Sequence, residues 1–271
     1  MLNFLHNYSP QPILFQIDWL KIHWYGIFIV LGVSAGLLVI LKLSKKFNIS
    51  SDEVYDLVFY LTIFGLLGGR IYAVFLDWPF YLNNPFEIIA VWHGGLAIHG
   101  ALIAGVFTLI IYCRRKKQLF WQLADMLAPA VALGQSIGRW GNYFNQELFG
   151  RPTDLPWGIP INFTNRPMQY LSSQYFHPTF LYESSLNLLN FLILIFLFLK
   201  LKPANRQPGL IFLVYLINYS LIRILMEFVR VDSTPVVLGL RLPVLASLLI
   251  LVSSLVVGIL LLAIRKERVG R

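Results

Sequence analysis

The sequence predicts an all-α polytopic membrane protein with about seven transmembrane helices and a small head outside the bilayer. Of the 271 residues, 57% are hydrophobic and 13% are charged, and the mean hydropathy is +0.67. Soluble domains carry nearly twice that share of charged residues, about 25%. Apolar stretches of roughly 20 residues, the length that spans a bilayer as a helix, recur along the chain and favour helices over a barrel.

The apolar stretches divide the chain into five parts. They cover approximately 22–43, 54–76, 96–113, 119–137, 179–199, 209–229 and 242–264. We expect an interfacial N-terminal arm (1–21), helices one to four (22–139), an external head (140–176), helices five to seven (177–264) and a tail (265–271). The head segment is rich in Pro, Asn, Trp and Tyr and too polar to span. No basic segment precedes an apolar core at the N-terminus, so we expect no cleaved signal peptide.

The distribution of cations predicts the orientation. The chain carries a net charge of +9, and 14 of its 22 Lys and Arg residues follow the first, third, fifth and seventh apolar stretches. Short cytoplasmic loops are enriched in these residues. We therefore expect the tail in the cytoplasm and both the N-terminus and the head outside. Since the cations act as topology signals, we expect no nucleic-acid partner.

Residues 134–151 end the fourth apolar stretch with a dense set of polar side chains. They present Arg139, Asn142, Asn145, Gln146 and Glu147. Charge at the end of a membrane-spanning segment is costly and needs a reason. If the helix continues, Arg139, Asn142 and Gln146 share one face at i, i+3 and i+7. Such a face could hold a phosphate by the guanidinium fork, with the amide groups fixing its orientation.

Other costly polar side chains lie at the outer ends of their predicted helices. They are Tyr25, Arg70, His99, Tyr219, Arg223, Glu227 and Arg230. A polar cavity under the outer leaflet, shared by five helices, explains this common depth most economically. Alternatives remain for three of them: Tyr25 as an aromatic anchor at the interface, Arg70 as a snorkelling side chain, and His99 as a core imidazole bonded to a carbonyl.

The sixth stretch carries a charged stripe. Tyr219, Arg223, Glu227 and Arg230 are spaced by 4, 4 and 3 residues, which places them on one face of a helix. A charged face on a membrane helix must turn toward protein or water. One interpretation is an internal Arg223–Glu227 pair that stabilises the helix, and the other is a Glu227 that orients Arg223 toward an anion. Both can hold.

The residues indicate a class of ligand. Paired arginines suit a phosphodiester, and at this depth the available phosphodiester is a phospholipid headgroup. The single cysteine, Cys113, excludes an internal disulfide framework and is expected to pack in the interior. No metal-ligand cluster is evident, so we expect neither a metal ion nor a cofactor. The sequence therefore predicts a protein that binds or processes an anionic phospholipid on the outer side.

Several segments resemble the prolipoprotein diacylglyceryl transferases, a family of bacterial membrane enzymes. Gly138-Arg-x-Gly-Asn-x-x-Asn-x-Glu147 is similar to the family signature. Further similar segments are Trp24-Tyr-Gly26, Gly68-Gly-Arg70, His93-Gly-Gly-Leu-Ala-Ile-His99-Gly100, His177-Pro-x-x-Leu-Tyr-Glu183 and Arg223-x-x-x-Glu227-x-x-Arg230. We interpret the segment 177–183 as support for the site rather than as part of its chemistry.

The resemblance implies a reaction and a place for it. The diacylglyceryl group of phosphatidylglycerol would move to the lipobox cysteine of a prolipoprotein, forming a thioether and releasing glycerol phosphate. The enzyme would lie in the bacterial cytoplasmic membrane, with its active site toward the outer leaflet. The implied catalytic residues are His99, as a base, with Arg139 and Arg223. The implied substrate-binding residues are Tyr25, Arg70, Asn142, Asn145, Glu147, Tyr219, Glu227 and Arg230.

Transporters and intramembrane proteases are the two other classes of function that such a membrane protein could have. A transporter or scramblase of anionic phospholipids stays an alternative, although its usual mark, a repeat with discontinuous helices around a midplane site, is not evident in the sequence. An intramembrane protease would need a serine–histidine pair, two aspartates or a zinc motif. None occurs in a suitable context. The Gly134-x-Ser136-x-Gly138 pattern lies within a predicted helix rather than at a strand-to-helix turn.

Overall fold

A computed structural model describes residues 2–18, 20–201 and 207–269 of the chain. Seven long helices dominate the described residues: α2 (Trp24–Ser44), α3 (Ser51–Leu76), α5 (Ile98–Lys116), α6 (Phe120–Asn145), α7 (Thr179–Lys200), α8 (Leu210–Glu227) and α9 (Leu242–Val269). The short helices are α1 (Leu2–Asn7) and α4 (Trp78–Asn83). Three antiparallel ribbons complete the fold: β1 (Ile13–Ile17) with β2 (Leu20–His23), β3 (Ile159–Pro160) with β4 (Tyr175–Phe176), and β5 (Val236–Val237) with β6 (Leu240–Arg241).

The prediction of a mostly helical, polytopic membrane protein is confirmed. By length and composition, six helices among the described residues could cross a membrane, namely α2, α3, α5, α7, α8 and α9. The remaining long helix, α6, has 26 residues but carries Asp125, Gln135 and Arg139, so its composition is less apolar. The count of seven spans and their orientation stay predictions. Lys202, Arg206 and Arg271, expected on the cytoplasmic side, lie outside the described residues.

The helices form two compact units. The first contains Met1–Val39 and Asp125–Arg271, and the second contains Ile40–Ala124. Within the second unit, α3 begins with a reciprocal capping box between Ser50 and Glu53. Helices α3 and α5 then cross at Gly68 and Gly100, where an added methyl group would collide with the facing backbone. Small residues at a crossing let membrane helices approach closely, because dispersion rather than hydrophobicity holds them together.

Small residues also lie at the contact between α2 and α6 in the first unit. A methyl group at Gly32 would lie 3.4 Å from the Gly134 Cα, and one at Gly36 would lie 3.6 Å from the Ala130 Cβ.

The start of α6 is hydrogen-bonded to the start of α8. Asp125 is fully buried and accepts hydrogen bonds from the backbone amides of Gly209 (3.0 Å) and Phe212 (2.9 Å), the first turn of α8. A carboxylate there satisfies amides that the helix itself leaves unpaired.

The head has a small apolar core of its own. It is built from Leu5, Tyr143, Phe149, Ile159, Ile161, Phe176 and Phe180. Leu5 belongs to α1, and His6 Nδ1 lies 2.8 Å from the Gly158 carbonyl oxygen. The start of the expected interfacial arm therefore packs into the head. The three ribbons and this attachment were not anticipated, because strands of two to five residues leave too weak an alternation pattern to recognise.

Two helix ends differ from the expected ones. Helix α6 continues to Asn145, well past the predicted end of the span, so the motif begins inside the helix. Helix α8 ends at Glu227, so Arg230 lies in the segment after it and not on the predicted stripe. These ends matter because they decide which side chains meet at the site. The division of the chain into membrane and external parts stays a prediction.

Candidate functional site

The last two turns of α6 present the arginine of the motif to a neighbouring carboxylate. Arg139 Nε lies 2.6 Å from Glu183 Oε2 of α7, an ion pair whose Nε–H is not aligned for a hydrogen bond. Arg139 Nη1 donates to Asn142 Oδ1 at 3.2 Å, one turn further along α6. The Arg139 side chain is one-quarter exposed, whereas the Glu183 side chain is almost fully buried. The arginine is therefore held firmly on one side and open on the other.

The amide groups of the motif converge on Glu147. Asn142 Nδ2 donates to Glu147 Oε1 at 2.7 Å, and Asn145 Nδ2 lies 3.4 Å from the same oxygen. Glu147 itself is exposed. Tyr25 at the start of α2 packs against this end of α6. Its ring occupies the space that a side chain at Gly141 would fill, since an added methyl group would come within 2.6 Å of it.

Glu183 joins two arginines from different parts of the chain. Its second oxygen, Oε1, accepts a hydrogen bond from Arg230 Nη1 at 2.8 Å. Arg230 Nε donates in turn to Asp232 Oδ1 at 2.7 Å. Both the Arg230 and Glu183 side chains are about 5% exposed. Two guanidinium groups thus share one buried carboxylate.

A second branch contains the arginine of α8. Arg223 Nη1 donates to Glu227 Oε2 at 2.6 Å, and Arg241 Nε lies 2.8 Å from Glu227 Oε1. Arg241 also donates to the Asp232 carbonyl oxygen, which connects the two branches. The result is one continuous network of nine residues: Glu147, Asn142, Arg139, Glu183, Arg230, Asp232, Arg241, Glu227 and Arg223.

The network contains four arginines and four acidic residues. A buried charge without a counter-charge costs several kcal/mol, so the buried Arg230 depends on its acidic partners for stability. Burial tends to lower the pKa of Arg230, but the Glu183 charge and the hydrogen bond to Asp232 raise it above its usual value. Burial tends to raise the pKa of Asp232, but the hydrogen bond and charge of Arg230 lower it below its usual value. Both groups therefore stay ionised at neutral pH.

The structure corrects two predicted positions, those of Gln146 and Arg230. Gln146 is not on the face of Arg139, because α6 ends one residue earlier and Gln146 adopts a left-handed backbone (φ 51°). Its buried amide instead bonds the Pro10 carbonyl oxygen and the Asn162 amide, tying the N-terminus to the head. Arg230 reaches Glu183 from beyond the end of α8. Tyr219 stacks on Tyr215, with the ring centroids 6.1 Å apart, and its role in substrate binding stays a prediction.

Arg70 of the second unit binds the backbone of the loop that contains residues 87–95. Its guanidinium is buried and donates to five backbone carbonyl oxygens, those of Glu87, Ile88, Ala90, Gly94 and Gly95. An arginine has five N–H donors, so all of them are used. The Arg70 guanidinium also lies 5.2 Å from the centre of the Tyr81 ring. The expectation that Arg70 binds substrate is not supported by this arrangement, since no donor is left for a phosphate.

The loop held by Arg70 leads directly to His99. His99 lies in the first turn of α5, as expected, with its side chain exposed and its ring 6.1 Å from that of Tyr72. His93 Nδ1 lies 3.0 Å from Glu87 Oε2 within the same loop. His99 and Arg70 belong to the second unit, whereas Arg139 and Arg223 belong to the first. A cavity shared by all of them therefore stays a prediction.

Three members of the network were missed or undervalued in the sequence. Glu183 was interpreted as support for the site, and Asp232 and Arg241 were not singled out. One signal was available for Arg241. Arg241 is a lone arginine directly before the seventh apolar stretch, at the end that the charge pattern predicts to lie outside. A cation at this place that is not a cytoplasmic topology signal indicates an acidic partner. Asp232 lies in a short polar connection and gives no comparable signal.

Comparison with known proteins identifies the relatives of the chain. The family model described as prolipoprotein diacylglyceryl transferase matches residues 12–262. A phosphatidylglycerol–prolipoprotein diacylglyceryl transferase of Parasynechococcus marenigrum is 47% identical over 226 residues, which are 83% of this chain and 81% of the relative. Proteins with the same name from Synechococcus sp. (strain CC9902) and from Nostoc sp. (strain PCC 7120) are 48% and 46% identical. Each match covers 83% of this chain, and the relatives are covered over 81% and 80% of their lengths.

The network predicts that Glu183 is essential for stability. Glu183→Gln should lower the free energy of unfolding by about 3 kcal/mol, because the buried Arg230 and the partly exposed Arg139 would lose their shared counter-charge. The measurement is thermal unfolding of the purified protein in detergent. Glu147→Gln makes the same chemical change at an exposed carboxylate and should leave the unfolding temperature nearly unchanged. Equal unfolding temperatures for Glu183→Gln and the parent would remove Glu183 from its structural role.

Proposed function

The chain belongs to the prolipoprotein diacylglyceryl transferase family, and from this premise we propose that it transfers the diacylglyceryl group of phosphatidylglycerol to a prolipoprotein cysteine. The observation that carries the proposal is the partly open Arg139, fixed by a buried carboxylate within a network of four arginines. Such fixed cations suit a reaction in which negative charge develops on a leaving phosphate. The arginine side chains do not have to move when the negative charge develops on the phosphate.

The proposed step is a nucleophilic substitution at the glyceryl carbon. The cysteine sulfur forms a bond to that carbon while the bond between the carbon and the phosphate oxygen breaks. The electron pair stays on the oxygen, so the products are a thioether and glycerol phosphate. Arg139 and Arg223 stabilise the charge on the departing phosphate. The sulfur belongs to the prolipoprotein substrate in this reaction, and Cys113 of this chain is buried in the second unit.

The thiol must lose its proton for this step. A cysteine with an ordinary pKa of about 8.5 is mostly protonated at neutral pH, so a base assists the reaction. We assign this role to His99, whose imidazole is exposed at the start of α5. Arg70 then acts as a positioning residue, since it holds the loop that precedes His99. The phosphate leaving group can take up the proton at the end of the reaction.

The remaining motif residues are proposed to bind the lipid headgroup. Asn142, Asn145 and Glu147 lie together at the end of α6, beside Arg139 and Tyr25. Glu147 is exposed and can accept hydrogen bonds from the glycerol hydroxyl groups. Glu227 orients Arg223 through their 2.6 Å contact. The interpretation of an internal Arg223–Glu227 pair and that of an oriented Arg223 are therefore compatible.

The place of the reaction follows from the substrates. We propose that the protein lies in the bacterial cytoplasmic membrane, with the site toward the outer leaflet and the prolipoprotein presenting its lipobox cysteine there. The motif ends in the head, which the charge pattern puts on the outer side. Membrane lipids surround the apolar faces of the helices. The transfer step itself requires no cofactor.

Transfer is tested directly with the purified protein, phosphatidylglycerol and a lipobox peptide. Mass spectrometry should show the diacylglyceryl thioether on the peptide cysteine, and Arg139→Ala should lower the rate by about 10²–10³, because one donor to the developing phosphate charge is lost. Cys113→Ser is the matched control and should retain full activity. A parent protein that forms no thioether but moves anionic lipid between leaflets would support the transporter instead.

The role of His99 is tested by the dependence of the rate on pH. A glutamine at position 99 keeps a hydrogen-bonding group but cannot accept the thiol proton. His99→Gln should therefore slow transfer by about 10²–10⁴ at pH 7. The loss should shrink as the pH rises toward the pKa of the substrate thiol, where the thiolate forms unaided. A small loss with an unchanged pH profile, or a loss that persists at high pH, would contradict the base assignment.

A further inference from the structure

An open cleft lies beside the network on the head side of the first unit. It has a volume of about 300 Å³ and is lined by residues of the head and of the segment between α8 and α9. Its charged lining residues are Arg151, Arg230, Asp232 and Arg241. Arg230, Asp232 and Arg241 belong to the network, so the cleft is continuous with the candidate site.

Arg151 differs from the other two arginines of the cleft. Arg230 is paired with Glu183 and Asp232, and Arg241 with Glu227. In the described part of the chain, no carboxylate lies within ion-pair distance of the Arg151 guanidinium, and its side chain is exposed. Its backbone is fixed nevertheless, since its amide donates to the Val229 carbonyl oxygen at 2.9 Å and its carbonyl oxygen accepts from the His177 amide at 3.0 Å.

The charges of the cleft leave one cation uncompensated. The four arginines and four acidic residues of the network balance one another, so Arg151 adds a positive charge that no carboxylate of the described residues pairs with. Arg230 and Arg241 also retain N–H groups without a hydrogen bond to the described residues, at Nη2 and Nη1 respectively. Several guanidinium donors around one space are the arrangement that recognises a phosphate, whose oxygens accept several hydrogen bonds.

The other lining residues indicate what accompanies the phosphate. Gln169 and Ser233 are exposed and offer an amide and a hydroxyl group, which suit the hydroxyl groups of glycerol. We propose that this cleft binds the phosphoglycerol group, with Arg151 as its principal ligand. The proposal rests on the proposed function, in which the reaction releases glycerol phosphate at Arg139 and Arg223, members of the network that also contains Arg230. The same chemistry would also fit the headgroup of the incoming lipid, and the experiment separates the two sources.

The test compares Arg151→Gln with the parent full-length protein in detergent. Equilibrium dialysis with labelled glycerol phosphate measures binding without turnover, and the transfer assay measures the KM for phosphatidylglycerol. Arg151→Gln should weaken the binding of glycerol phosphate by about 10-fold, the effect of losing one charge-assisted hydrogen bond. Arg151→Lys should recover part of the loss because it keeps the charge. Lys21→Gln removes an exposed cation of β2 away from the cleft and should bind like the parent.

The outcomes distinguish the source of the ligand. Weaker binding with an unchanged KM identifies the released glycerol phosphate as the occupant, whereas a parallel rise in KM identifies the headgroup of the incoming lipid. Equal binding by Arg151→Gln and the parent, or equal losses for Arg151→Gln and Lys21→Gln, would overturn the proposal. A parent protein that binds glycerol phosphate but transfers nothing would contradict the proposed function and leave the cleft supported.

Discussion

The structure of the site depends on one requirement, that a guanidinium removed from water keeps a counter-charge. Arg139, Arg230, Arg223 and Arg241 meet it with three carboxylates, and Glu183 serves two of them at 2.6 and 2.8 Å. A buried ion pair is weak evidence for stability, because desolvation offsets much of the attraction. In this site the ion pairs fix the orientation of the arginine side chains.

This requirement explains why distant parts of the chain meet. Glu183 stands in the first turns of α7, Arg139 near the end of α6, and Arg230 just after α8. The ribbon that carries Arg241 brings the start of α9 to Glu227. Fixed cations of this kind stabilise developing charge without moving, which is the physical basis of electrostatic catalysis. Arg139 can act on a phosphate because Glu183 occupies only one side of its guanidinium.

The sequence reveals much of this and misses particular parts for physical reasons. The helices and the costly arginines can be predicted, because hydropathy and charge in a membrane leave strong signals. The partners of Arg139 and Arg230 cannot, because they depend on how α7 packs against its neighbours. Arg70 shows the limit most clearly. The resemblance implied that it binds substrate, whereas five backbone carbonyl oxygens take all its donors. These partners cannot be predicted from the sequence, because every residue type carries a backbone carbonyl oxygen.

The central claim is that Glu183 acts on the reaction through Arg139. A double-mutant cycle on the transfer rate tests it most directly, using Arg139→Gln, Glu183→Gln and the variant with both changes, each measured on protein that remains folded. The account predicts that the double variant is no slower than Arg139→Gln, within about 3-fold, because the second change removes only the support of a group already lost. Rate losses that multiply would show that the two residues act independently and would contradict the account.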